Sequence, residues 1–86
     1  MEHIMYIMYY TIHSDKLNCN VEFDLDEGGY LCVRIGNQPR RQACSFADPE
    51  SISIYMSFSR YTTEAERERQ FHSECDRWYR YFIKNQ

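Results

Sequence analysis

The chain reads as an α+β fold, an antiparallel sheet of four to five strands with one C-terminal helix packed on one face. Two observations predict it. Period-two apolar alternation recurs between residues 4 and 59, and a capped amphipathic stripe at helical spacing occupies residues 64–84. With 86 residues there is room for one hydrophobic core, so residues 1–86 are expected to form a single domain.

Residues 4–12, Ile-Met-Tyr-Ile-Met-Tyr-Tyr-Thr-Ile, are apolar on both alternating faces, which predicts a strand lying inside the sheet rather than at its edge. Residues 14–20 are polar and supply the first connection. Residues 21–26, Val-Glu-Phe-Asp-Leu-Asp, alternate strictly and predict a half-buried strand, with a hairpin partner at residues 30–35. The register of that hairpin follows from parity. A two-residue Gly-Gly loop would set Leu31, Val33 and Ile35 opposite Asp26, Asp24 and Glu22. A three-residue Glu27-Gly28-Gly29 loop, with a glycine in the left-handed position, instead pairs Leu25 with Leu31, Phe23 with Val33 and Val21 with Ile35. All six apolar residues then share one face, and Glu22 faces Arg34 on the other.

Gly36-Asn37-Gln38-Pro39 predicts a turn, residues 42–46 a short strand with either neighbour as its partner, and residues 51–59 a strand sending Ile52, Ile54, Met56 and Phe58 to the core. Thr63 and Glu66 have capping-box spacing and start the helix. Glu64, Glu66 and Glu68 near its start and Arg77, Arg80 and Lys84 near its end follow the order the helix dipole favours. Phe71, Cys75, Trp78 and Phe82 form its apolar stripe, widened by Tyr79 and Ile83.

Composition narrows the function. A net charge of −3 lacks the basic excess that phosphate neutralisation demands, so direct nucleic-acid binding is not expected. No apolar run is long enough to span a membrane. Cys19, Cys32, Cys44 and Cys75 form no CxxC pair and follow no signal-peptide pattern, which predicts free thiols in the cytoplasm. His72 and Cys75 lie three apart, half of a zinc site at best, and no second close-spaced ligand pair completes it. No GxSxG elbow, phosphate-binding glycine loop or HExxH helix is present. No catalytic residue, metal or cofactor is therefore expected, and the chain reads as non-enzymatic.

Binding chemistry concentrates on the sheet face opposite the helix. Glu22, Asp24 and Asp26 form an acidic row whose members are about 6.6–7 Å apart, two strand rises, a spacing able to imitate a phosphate backbone. Arg34 neutralises part of that row. Outward parity adds Tyr30 and Tyr55, with Tyr9 joining them if Met5 and Ile7 also face outward. Tyrosine and arginine are enriched at interface centres, so these seven residues are the candidate partner-binding site. A loop or a homodimer mate is the other cover such a face would accept.

A short, acidic, tyrosine-rich α+β chain carrying Glu22, Asp24 and Asp26 resembles the small phage-encoded inhibitors of bacterial defence, anti-CRISPR proteins among them. The resemblance lies in the overall profile, with no shared motif. It implies a stoichiometric inhibitor that occupies a nucleic-acid or partner site on a nuclease or ribonucleoprotein complex. The alternative is an immunity protein or antitoxin that neutralises a cognate toxin, and a third reading is a small metal protein or enzyme using His72 and Cys75.

Overall fold

The computed structural model describes residues 8–43 and 61–85. These build a four-stranded antiparallel sheet in the order β1-β2-β3-β4, with β1 at Tyr9–Ser14, β2 at Cys19–Leu25, β3 at Leu31–Ile35 and β4 at Arg41–Gln42. Helix α1 spans Glu64–Tyr79 and continues without a break into a π-turn at Arg80–Lys84. The predicted fold class is the observed one.

The central hairpin has the register that parity requires, Leu25 with Leu31, Phe23 with Val33 and Val21 with Ile35. Gly29, at φ 86°, supplies the left-handed residue, and its amide donates to the Asp26 carbonyl at 3.0 Å. Tyr30 closes the loop by accepting from the Asp26 amide at 3.0 Å. One loop residue more or fewer would send Phe23 and Val33 to opposite faces.

Several strand boundaries differ from expectation, β2 also ending at Leu25 rather than Asp26. β1 runs to Ser14 and β2 begins at Cys19, so the first connection shrinks from residues 14–20 to residues 15–18, closed by Asn18 at φ 53°. The polar residues on either side join the ladder because each has a partner: His13 Nδ1 meets Asn20 Oδ1 at 3.0 Å, and Ser14 pairs with Cys19. Among the described residues β1 pairs with β2, and the second neighbour that its expected interior position calls for falls outside them. β3 starts at Leu31, with Tyr30 contributing a single bridge. β4 covers Arg41–Gln42 among the described residues and pairs with β3, Val33 facing Arg41 and Cys32 facing Gln42. Residues 4–7, 44–46 and 51–59, including Tyr55 and the four core positions assigned to that last strand, lie outside the described residues.

The helix begins at the expected cap. Thr63 Oγ1 accepts from the Glu66 amide at 3.2 Å and the Glu66 carboxylate accepts from the Thr63 amide at 3.4 Å. Phe71, Cys75, Trp78 and Tyr79 are buried against Val21, Phe23, Leu31 and Val33, with the Phe23 and Trp78 rings edge to face at 5.6 Å. The terminal inward position falls on Ile83, which is buried, while Phe82 is half-buried. The π-turn explains this, because one extra residue in the turn delays the apolar face by one position.

A buried polar contact fixes where the helix sits on the sheet. Ser14 is fully buried, and its Oγ accepts from the Tyr79 hydroxyl at 2.7 Å and from the Leu17 amide at 3.1 Å. Tyr10 adds a second link, its ring stacked on His72 at 4.4 Å and its hydroxyl donating to Asp76 at 3.1 Å. Burial, followed by the nearby Asp76 carboxylate, raises the Tyr10 phenol above its ordinary value.

Candidate functional site: the outer sheet face

Tyr9, Glu22, Asp24, Asp26, Tyr30 and Arg34 all project from the sheet face opposite α1, as parity predicts. Tyr9 is paired with Asp24 across β1 and β2, which settles its direction, and it is 54% exposed. Tyr30, at the hairpin bend, is 38% exposed.

The acidic row is a bonded network rather than a line of solvated charges. Glu22 lies between two strands: the Tyr9 hydroxyl donates to one of its oxygens, and Arg34 donates to the other through Nε at 2.8 Å and through Nη2. The Tyr9 hydrogen bond, then the Arg34 one, holds the Glu22 carboxyl below the usual range, and the same contact raises Arg34. Asp24 accepts both oxygens' worth of contact from Arg40 Nε, at 2.9 and 3.0 Å. Asp26 turns back on its own hairpin, with Oδ1 accepting from the Gly28 and Tyr30 amides at 2.9 Å each and Oδ2 from Gln42 Nε2 at 3.1 Å. Those amides, that of Tyr30 first, lower the Asp26 carboxyl. Exposed ion pairs add little stability, so the consequence of this network is orientation: three carboxylates and two guanidinium groups are held in fixed places.

Arg40 and Gln42 are the members that sequence reasoning missed. Both belong to the β4 side of the sheet yet bond to Asp24 on β2 and to Asp26 just past its end, reaching across β3. They can do so because the intervening outward residue is Cys32, a small side chain flanked by Asp24 and Gln42 in the pairing. Cys32 is only 2% exposed although it sits on the outer face, and burial raises its thiol against the opposing pull of Arg40. Residues 40–42, Arg-Arg-Gln, carry no alternation that announces these contacts, and only the β3-β4 register produces them. Tyr9, Glu22, Phe23, Asp24, Arg34 and Arg40 together border a shallow recess of about 190 Å³.

Elsewhere the candidate chemistry disperses. Cys75 is fully buried beneath the sheet, where burial pushes its thiol up, and His72 is engaged by Tyr10. Among the described residues no group of three or more His, Cys, Asp or Glu could hold a metal ion. Cys19, Cys32 and Cys75 are free thiols, and Cys44 lies outside the described residues. No helix among the described residues is long and apolar enough to cross a membrane. Comparison with protein-family models, curated proteins and solved structures finds no match to the chain.

Proposed function

We propose that this chain is a non-catalytic binding module for a protein partner, and that the outer sheet face is its contact surface. The observation that carries the reading is the fixed Tyr9-Glu22-Arg34 and Arg40-Asp24 network beside the exposed Tyr30 ring. Side chains already held in one arrangement lose little entropy on docking, and tyrosine and arginine are the residues that anchor interface centres. In the form its profile suggests, the chain is an inhibitor that occupies a nucleic-acid or partner site on a nuclease complex of bacterial defence, acting stoichiometrically. Because each acid already has a cation or donor, docking through this face uses mixed charge and aromatic contact, and a bare phosphate decoy would have to break the Arg34 and Arg40 pairs first.

The test compares proteins retained from bacterial lysate by the wild type, by Tyr30→Ser/Arg34→Glu, and by Arg69→Glu on the exposed helix surface. The expected result is a nuclease subunit retained by the wild type and the Arg69 variant and lost from the face variant. Equal retention by all three overturns the reading. So does a light-scattering dimer that the face variant converts to monomer, because the face would then belong to a second copy of this chain.

A further inference from the structure

A second recess lies at the other end of the molecule, where the β1-β2 turn meets the end of the helix. Its volume is about 500 Å³, within the range of small-molecule sites, whereas the recess on the outer sheet face is under half of that. Its apolar lining comes from Ile12 and Tyr79. The rest of its lining is polar: Arg80 and Lys84 from the helix end, Lys16 and the His13 ring from the hairpin, and Asp15 and Asp76 beside them.

The cations have different reasons to be there. Lys16 Nζ donates to the Ile83 carbonyl at 2.9 Å, satisfying one of the acceptors that every helix leaves open at its C-terminus. Arg80 and Lys84 are exposed and make no ion pair among the described residues. They are also the first and last residues of the π-turn, a feature that is rare and concentrated at functional sites. The acids keep acceptor capacity. Asp76 takes one hydrogen bond from Tyr10, and a carboxylate offers about four acceptor positions.

We propose that this recess binds a small organic phosphate bearing hydroxyl groups, a nucleotide being the representative case. The phosphate meets the Arg80 guanidinium and the Lys84 ammonium, the pair that suits fork and point-charge recognition of phosphate oxygens. The apolar part of the ligand rests on Ile12 and Tyr79, and Asp15 and Asp76 accept from its hydroxyls. The net charge of −3 on the chain works against a long polyanion and so favours a small ligand over a nucleic-acid strand. This site is separate from the outer sheet face, and its failure would leave the reading of that face untouched.

Isothermal titration with ADP, adenosine and inorganic phosphate tests it, supported by amide shift mapping of Lys16 and Tyr79. The expected result is saturable ADP binding, weaker binding of either fragment, and a loss of about tenfold or more in Arg80→Gln/Lys84→Gln, since each charge-assisted contact is worth roughly that. Wild-type melting temperature in the variant shows that the loss is not unfolding. No saturation at millimolar ADP, equal binding by the double variant, or a single-stranded oligonucleotide that outcompetes ADP each overturns the proposal.

Discussion

Replacing Ser14 by alanine is expected to cost more than replacing its partner Tyr79 by phenylalanine, although both remove the same hydrogen bond. Ser14 Oγ accepts from the Tyr79 hydroxyl at 2.7 Å and from the Leu17 amide at 3.1 Å, and both Ser14 and Tyr79 are buried. Tyr79→Phe deletes one donor and leaves Ser14 bonded to Leu17, so the loss is that of an ordinary hydrogen bond, about 1 kcal/mol. Ser14→Ala deletes the acceptor and strands the Tyr79 hydroxyl inside the core, where an unsatisfied group costs about 1–3 kcal/mol. The Leu17 amide belongs to an exposed residue and can turn to water. At about 4–8 °C per kcal/mol for a domain of this size, Tyr79→Phe should lower Tm by roughly 4–8 °C and Ser14→Ala by up to three times as much. In the double variant no hydroxyl is stranded, so the two effects should fall short of their sum by about 1 kcal/mol. Urea unfolding of the four proteins at constant m-value measures this cycle. Additivity to within about 0.5 kcal/mol, or a larger cost for Tyr79→Phe, would refute the buried contact as the anchor between hairpin and helix.

Gly29→Ala places a β-carbon at φ 86° and is expected to destabilise by about 1–2 kcal/mol, whereas Gly28→Ala, whose β-carbon would meet the Tyr30 ring edge at 3.3 Å and Asp26 Oδ1 at 3.4 Å, both side-chain atoms able to give way, should cost less; thermal melts that rank them the other way contradict the turn geometry. Thr63→Ala removes the capping acceptor and should cost about 1 kcal/mol, read as earlier fraying of α1 by amide exchange, with Glu66→Ala losing the reciprocal bond and showing a smaller effect. Glu22 and Asp26 both have carboxyls held below the usual range in the folded chain, Glu22 by Tyr9 and Arg34 and Asp26 by the Tyr30 amide and Gln42. Their contribution is therefore complete above the ordinary carboxylate range and lost as pH falls through the lowered folded values. Asp26→Asn should flatten the acid limb of a Tm against pH curve; a limb as steep as that of the wild type would show that Asp26 carries none of it. Alkylation of the native chain should modify the half-exposed Cys19 before the buried Cys32 and Cys75, as peptide mass analysis would show.

The outer face shows how far sequence reasoning reaches and where it stops. The direction of Glu22, Asp24, Asp26 and Arg34 was legible because strand side chains alternate, and one hairpin register keeps Val21, Phe23 and Leu25 together. Which charges meet was legible only for Glu22 and Arg34, the directly opposed pair. The Arg40 to Asp24 and Gln42 to Asp26 contacts depend on where β4 docks, and residues 40–43 have no periodicity strong enough to say so. The lengths of β1 and β2 escaped for a related reason. Polarity at residues 13, 14, 19 and 20 reads as loop until Asn20 and Tyr79 supply the partners that let those residues join the sheet.

By itself the sequence determined the fold class, the hairpin register, the capping box and the inward stripe of the helix, all of which follow from rules acting within a few residues or across one turn. Tertiary structure decided the rest: the burial of Ser14 and Cys32, the neutralisation of the acidic row, the π-turn that exchanges Phe82 for Ile83, and the recess beneath Arg80 and Lys84. The physical reason is range. Periodicity fixes the direction of a side chain from its own element, whereas its partners come from strands and helices distant in the chain, as Ser14 and Tyr79 do at 65 residues' separation.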